Sequence, residues 1–108
     1  MYAGKLCSAV IVAAGNGNRM RTSIPKQFLL LGTKTIIEHT VDVFLNCNAI
    51  DEIIVVVPQN SIDECKRLFS DVSVKCMAGG AERYDSVYKG IQSTSESCDI
   101  VLIHDGVR

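Results

Sequence analysis

CSAVIVAAGNGNRM, Cys7 to Met20, decides how this chain is read. Its first six residues are a short, continuous apolar run, the pattern of a β-strand covered on both faces. Ala13 and Ala14 follow, and then two glycines, two asparagines and an arginine fill Gly15 to Arg19. A strand that ends this way either turns or offers its backbone to a ligand. Glycines let several N–H groups converge on one point and form an anion nest. Taken alone, Gly15-x-Gly17 fits a plain turn as well as a phosphate cradle.

Working outward, the pattern repeats. The polar loop after the first strand runs to about Ile24, and Pro25 bars a helix there. Thr35 to Cys47 reads as a helix, with Ile36/Ile37, Thr40/Val41 and Phe44/Leu45 on one stripe. Glu52 to Val57 (EIIVVV) is a second buried strand, stopped by Pro58. Ser61 to Phe69 reads as a helix opened by a Ser61/Glu64 capping box. Val72 to Met77 is a more polar strand that suits a sheet edge, ended by Gly79-Gly80. Ala81 to about Ser93 is a helix carrying Tyr84, Val87, Tyr88 and Ile91. Ile100 to Ile103 (IVLI) is a fourth strand, buried by composition, and HDGVR follows.

Alternating strands and helices predict an α/β fold with a mostly parallel sheet in three layers. Right-handed crossovers give the four strands the order 3-2-1-4. Strands 1 and 4 then lie side by side at the point where the order reverses, and ligands bind at the carboxyl ends there. Two helices cover one face and one covers the other. The fourth strand is left at an edge with no helix after it, an exposed apolar edge of the kind proteins avoid. An incomplete domain, or a partner on that edge, is expected.

The 108 residues make one domain the default. Eleven Lys+Arg against twelve Asp+Glu leave a net charge of −1. No global field draws such a chain to nucleic acid or to an anionic membrane, and any anion site must be local. No apolar run approaches the roughly 18 residues of a membrane helix. Five cysteines stand 40, 18, 11 and 22 residues apart, without a CxxC pair or a Cys/His ligand cluster. They read as reduced core residues of a cytoplasmic protein.

The glycine loop is neither of two familiar kinds. A dinucleotide fingerprint needs a third glycine where Met20 stands and an acid where strand 2 runs into VVVPQN. A Walker A loop needs GK[ST], which is missing. Arg19 and Lys26 instead add two cations seven residues apart. A planar fork and a point charge beside a nest suit a triphosphate, and both stabilise charge that builds on phosphorus oxygens. Asp105, at the end of the fourth strand, is placed either to hold Mg²⁺ against phosphate or to cap the next turn. His104 reads as structural. Gly79-Gly80 and Ser86 flank the start of the third helix, where backbone groups read a base or simply end a strand. His39 has no assigned role.

AAGNGNRM, PKQFLLLG, GGAERYDSV and HDGVR, in this order and spacing, resemble the 2-C-methyl-D-erythritol 4-phosphate cytidylyltransferases of the non-mevalonate isoprenoid pathway. The resemblance covers nearly the whole chain. The first two motifs belong to the wider nucleotidyltransferases, and the last two point to this family and its relative, ribitol-5-phosphate cytidylyltransferase. The resemblance implies a Rossmann-like nucleotidyltransferase fold. It implies transfer of a cytidylyl group from CTP to a polyol phosphate, with Mg²⁺ and without a covalent enzyme intermediate. Arg19 and Lys26 match the transition-state pair. Ala13, Ala14, Gly15 and Gly17 match the CTP loop. Gly80 and Ser86 match cytidine contacts, with Arg83 as a supporting arginine. Asp105 matches the metal ligand, with Gly106 and Arg108 beside it.

Val12 departs from a common proline, Ala81 from a common acid and Gly106 from a frequent alanine. Family members run about twice as long, and their second half carries the sugar-phosphate site and the dimer arm. The resemblance therefore implies that residues 1–108 are the N-terminal CTP-binding part, with little activity alone, of a cytoplasmic or plastid homodimer.

Overall fold

The computed structural model describes residues 1, 3–14 and 28–105. Strand β1, Cys7–Val12, is buried along its whole length. β4, Glu52–Val57, lies parallel to it, with Ser8 opposite Glu52 and Val12 opposite Val56. β5, Lys75–Ala78, flanks β4, and β6, Ile100–Asp105, flanks β1 on the other side. The sheet order is β5-β4-β1-β6, all parallel, so the first and last long strands are neighbours as the topology rules require.

Strand alternation divides the core. Ile11, Ala13, Ile53, Val55 and Val57 face helices α1, Ile36–Leu45, and α2, Ile62–Leu68, through Ile37, Val41 and Cys65. Val10, Val12, Ile54 and Val56 face the other way, toward Val87 of α3, Arg83–Gln92. Gly90 permits this second packing. A side-chain carbon there would overlap Val10 and come within 3.2 Å of Val56, so α3 rests almost directly on the sheet.

Several expectations need correction. A two-stranded hairpin, β2 (Leu30–Leu31) with β3 (Lys34–Thr35), precedes α1 and was not expected. Gly32, at φ 76°, takes the first of its two turn positions, where glycine is favoured. Thr35 lies outside α1 as its N-cap. Its hydroxyl accepts from Glu38 N–H at 3.2 Å, while the Glu38 carboxylate accepts from Thr35 N–H at 2.9 Å. The capping box is thus here and not at Ser61. Ser61 ends a 3-10 turn, Gln59–Ser61, and its side chain makes no cap hydrogen bond. Glu64 pairs with Arg67 instead. The third long strand begins at Lys75, not Val72. IVLI is not buried. Leu102 and Ile103 are 44% and 38% exposed, because among the described residues β6 pairs with β1 alone. Cysteine burial is also mixed: Cys7 and Cys65 are buried, Cys76 and Cys98 half-buried, and Cys47 exposed.

Candidate nucleotide site

The carboxyl ends of β1, β5 and β6 come together on the same edge of the sheet. β1 continues as Ala13, whose N–H donates to Val56 O at 2.7 Å, and reaches Ala14. β5 continues as Gly79, whose N–H donates to Val57 O at 2.8 Å. These two extensions touch. A side-chain carbon at Gly79 would lie 2.6 Å from Ala14 Cβ, 3.1 Å from Val56 Cγ1, and in overlap with Ser86 Oγ. One at Gly80 would overlap Asp85 Cβ. Neither glycine has positive φ, so it is lack of space that excludes side chains here.

Helix α3 starts where the two glycines end. Asp85 accepts from Glu82 N–H at 3.1 Å, which ties the first turn to the residue before it. Ser86 is almost fully buried. Its hydroxyl accepts from Gly80 N–H at 3.2 Å and contacts Glu82 O at 3.5 Å. Ser86 therefore shapes the glycine turn from beneath.

Asp105 ends β6 and is the register partner of Val12. It shares the α3 side of the sheet, where both Nε and a terminal guanidinium nitrogen of Arg83 lie 3.1 Å from its Oδ1. A guanidinium so placed fixes the carboxylate's direction. His104, one residue earlier, points to the opposite side. Its ring meets Phe44 edge-on at 5.4 Å, and its buried Nδ1 finds no hydrogen-bond partner among the described residues. The contact with Phe44 is what a structural reading of this residue rests on.

The structure thus brings Ala13, Ala14, Gly80, Arg83, Ser86 and Asp105 into one region. Gly15, Gly17, Arg19, Lys26, Gly106 and Arg108 lie outside the described residues. Gly79, read in the sequence together with Gly80, lies there too, and Asp85 is an addition to the expected set. Nothing in the sequence singled out Asp85. Around α3's start, Glu82, Asp85 and Asp105 outnumber Arg83. A polyphosphate held here needs further cations, and the sequence offers Arg19 and Lys26. Among the described residues no group of three or more His, Cys, Asp or Glu could enclose a metal by itself.

Comparison with known proteins places the chain. The family model IspD, 2-C-methyl-D-erythritol 4-phosphate cytidylyltransferase, matches residues 7–108. A cytidylyltransferase of that name from Clostridium botulinum (strain Eklund 17B / Type B) is 50% identical over 107 residues, covering 95% of this chain and 47% of the relative. One from Clostridioides difficile (strain 630) is 45% identical, covering 94% and 44%. The crystal structure of 4-diphosphocytidyl-2C-methyl-D-erythritol synthase from Anaerococcus prevotii DSM 20548 superposes with a TM-score of 0.82 at 33% identity, covering 97% of this chain and 44% of that one. The chain spans about half the length of the curated relatives it matches.

Proposed function

This chain belongs to the 2-C-methyl-D-erythritol 4-phosphate cytidylyltransferase family, and on that premise we propose that the protein transfers a cytidylyl group from CTP to 2-C-methyl-D-erythritol 4-phosphate. The observation that carries this reading is the contact of Ala14 with the Gly79-Gly80 turn at the carboxyl ends of parallel strands, with Asp105 tied to the start of the same α3 through Arg83. In the proposed reaction an acceptor phosphate oxygen attacks the α-phosphorus of CTP, the bond to the bridging oxygen breaks, and pyrophosphate leaves. Positioning and charge supply the catalysis. Gly15 and Gly17 cradle the phosphates, and Arg19 and Lys26 stabilise the charge developing at the α-phosphorus. The Gly79-Gly80 turn, braced by Ser86, faces the base.

Asp105 fits a Mg²⁺ ion that arrives with the nucleotide. Such an ion takes one or two carboxylates and completes its shell with water and phosphate oxygens. Bound there, it would neutralise phosphate charge. Arg83 holds the carboxylate ready to receive it. The residues that bind the acceptor and pair two copies belong, on this reading, to the part of the family's length that this chain does not span. A cytoplasmic setting and a homodimer complete the proposal. Among the described residues no helix is long and apolar enough to cross a membrane.

In the complete protein, Lys26→Ala is expected to lower turnover by ~10²–10³, the scale for losing one preorganised stabilising group. A loss below about threefold would take Lys26 out of the site. Product analysis with ribitol 5-phosphate as a rival acceptor tests the substrate. Equal or faster transfer to ribitol 5-phosphate would overturn the acceptor assignment.

A further inference from the structure

Two of the five cysteines stand in direct contact, away from the nucleotide site. Cys65 lies on the inner face of α2 and is fully buried. Cys76 lies on β5 opposite Val55 and is half-buried. The Cys65 thiol donates to Cys76 Sγ at 2.8 Å. That separation exceeds a sulfur–sulfur bond by only about 0.8 Å. Among the described residues it is the one hydrogen bond between two sulfurs. The other thiols are differently placed: Cys7 is sealed in β1, Cys98 is half-buried and bonds to Ile100 O, and Cys47 stands exposed after α1.

We propose that Cys65 and Cys76 form a reversible thiol–disulfide pair that fastens α2 to the edge strand β5. The contact distance supports bond formation without moving either element far. The chemistry divides naturally between the two sulfurs. The hydrogen bond from Cys65 holds the Cys76 thiol below its ordinary range against the opposing effect of burial, and the Lys66 ammonium helps. Cys65, the donor in that bond and the more deeply buried, is pushed up. Cys76 is therefore the attacking thiolate, as its partial exposure also requires.

The oxidant is a small-molecule disulfide, RSSR. The Cys76 thiolate attacks one of its sulfurs and releases RS⁻, leaving Cys76 as a mixed disulfide. Cys65 loses its proton and attacks the Cys76 sulfur, releasing the second RS⁻. One sulfur–sulfur bond is made in the protein and one is broken in the oxidant. The two thiols are oxidised to the disulfide as RSSR is reduced to two RSH. In a reducing compartment such bonds are transient and report redox state. The bond closes a loop of about a dozen residues running from α2 to β5, so it restricts the unfolded chain more than the folded one. It also ties down β5 three residues before Gly79, where the turn of the nucleotide site begins.

The test is to treat the protein with glutathione disulfide, digest it with trypsin and a glutamate-specific protease, which cuts after Glu52 and Glu64 and so parts Cys47 from Cys65, and map its disulfides, while following its melting temperature. The expected product is a peptide pair joined through Cys65 and Cys76, with a mass lower by two hydrogens and a rise in Tm of about 5–10 °C. Dithiothreitol should reverse both changes. Cys76→Ser and, independently, Cys65→Ala should each abolish the Tm rise, and the peptide map of the unaltered protein decides the matter even if a variant folds poorly. A stable glutathione adduct on Cys76 with Cys65 still free would overturn the proposal, as would modification confined to Cys47.

Discussion

Arg83 and Asp105 show how much one pair of side chains decides. The pair is exposed on the arginine side, 61%, so its contribution to stability is small. Its consequence is geometric: it aims a carboxylate at the end of β6. Arg83→Ala should leave unfolding free energy within about 1 kcal/mol of the parent while weakening Mg²⁺-dependent CTP binding by about tenfold, the effect of losing one charge-assisted contact. Denaturant unfolding and calorimetric CTP titration separate the two. Gly79 should behave oppositely. An added methyl has nowhere to go between Ala14, Val56 and Ser86. Gly79→Ala is expected to cost about 1–3 kcal/mol through overpacking, measured by urea unfolding, because backbone and a buried hydroxyl must move.

At the scale of elements, the strands were legible because their signal is composition. SAVIV and EIIVVV leave no polar face and must be covered on both sides. The three helices were legible from their apolar stripes. What sequence misread was local bonding. Ser61 and Glu64 carry the capping-box pattern, yet Pro58 starts a 3-10 turn that draws Ser61 inward, and Glu64 finds Arg67. Thr35 and Glu38 carry the same pattern and do form it. Thr35→Ala should therefore cost about 1 kcal/mol, and Ser61→Ala distinctly less in the same unfolding assay. Equal costs would contradict the assignment. The hairpin before α1 escaped notice because its strands are only two residues long, and Leu30 and Leu31, both exposed, show no alternation of apolar and polar residues. Of the site, its strand ends were foreseeable from topology. The support of the glycine turn by Ser86, and Asp85's hold on Glu82, depend on three-dimensional placement that spacing does not carry.

For the whole molecule, the two ends of the sheet have different roles. At the amino ends, the Glu52 carboxylate accepts from Ser8 Oγ at 2.7 Å and Ser95 N–H at 3.0 Å, and lies 3.6 Å from Lys75 Nζ. It thereby joins β1, β4, β5 and the segment after α3. Burial alone would raise its pKa, but these partners together hold it below the ordinary 4.5. A carboxyl depressed in the folded state stabilises fully above 4.5 and loses that contribution as pH falls through its lower folded value. The stability gap between the parent and Glu52→Gln should then be widest near neutrality and close in acid, as followed by unfolding across pH 3–7. A gap that widened in acid would contradict it.

At the carboxyl ends lies the proposed nucleotide site. The most direct test is calorimetric titration of CTP into the complete protein in Mg²⁺ buffer, comparing the parent, Asp105→Ala and Glu52→Gln. CTP should bind the parent and Glu52→Gln alike, and Asp105→Ala at least tenfold more weakly, about 1.4 kcal/mol. Undiminished binding by Asp105→Ala would contradict the account.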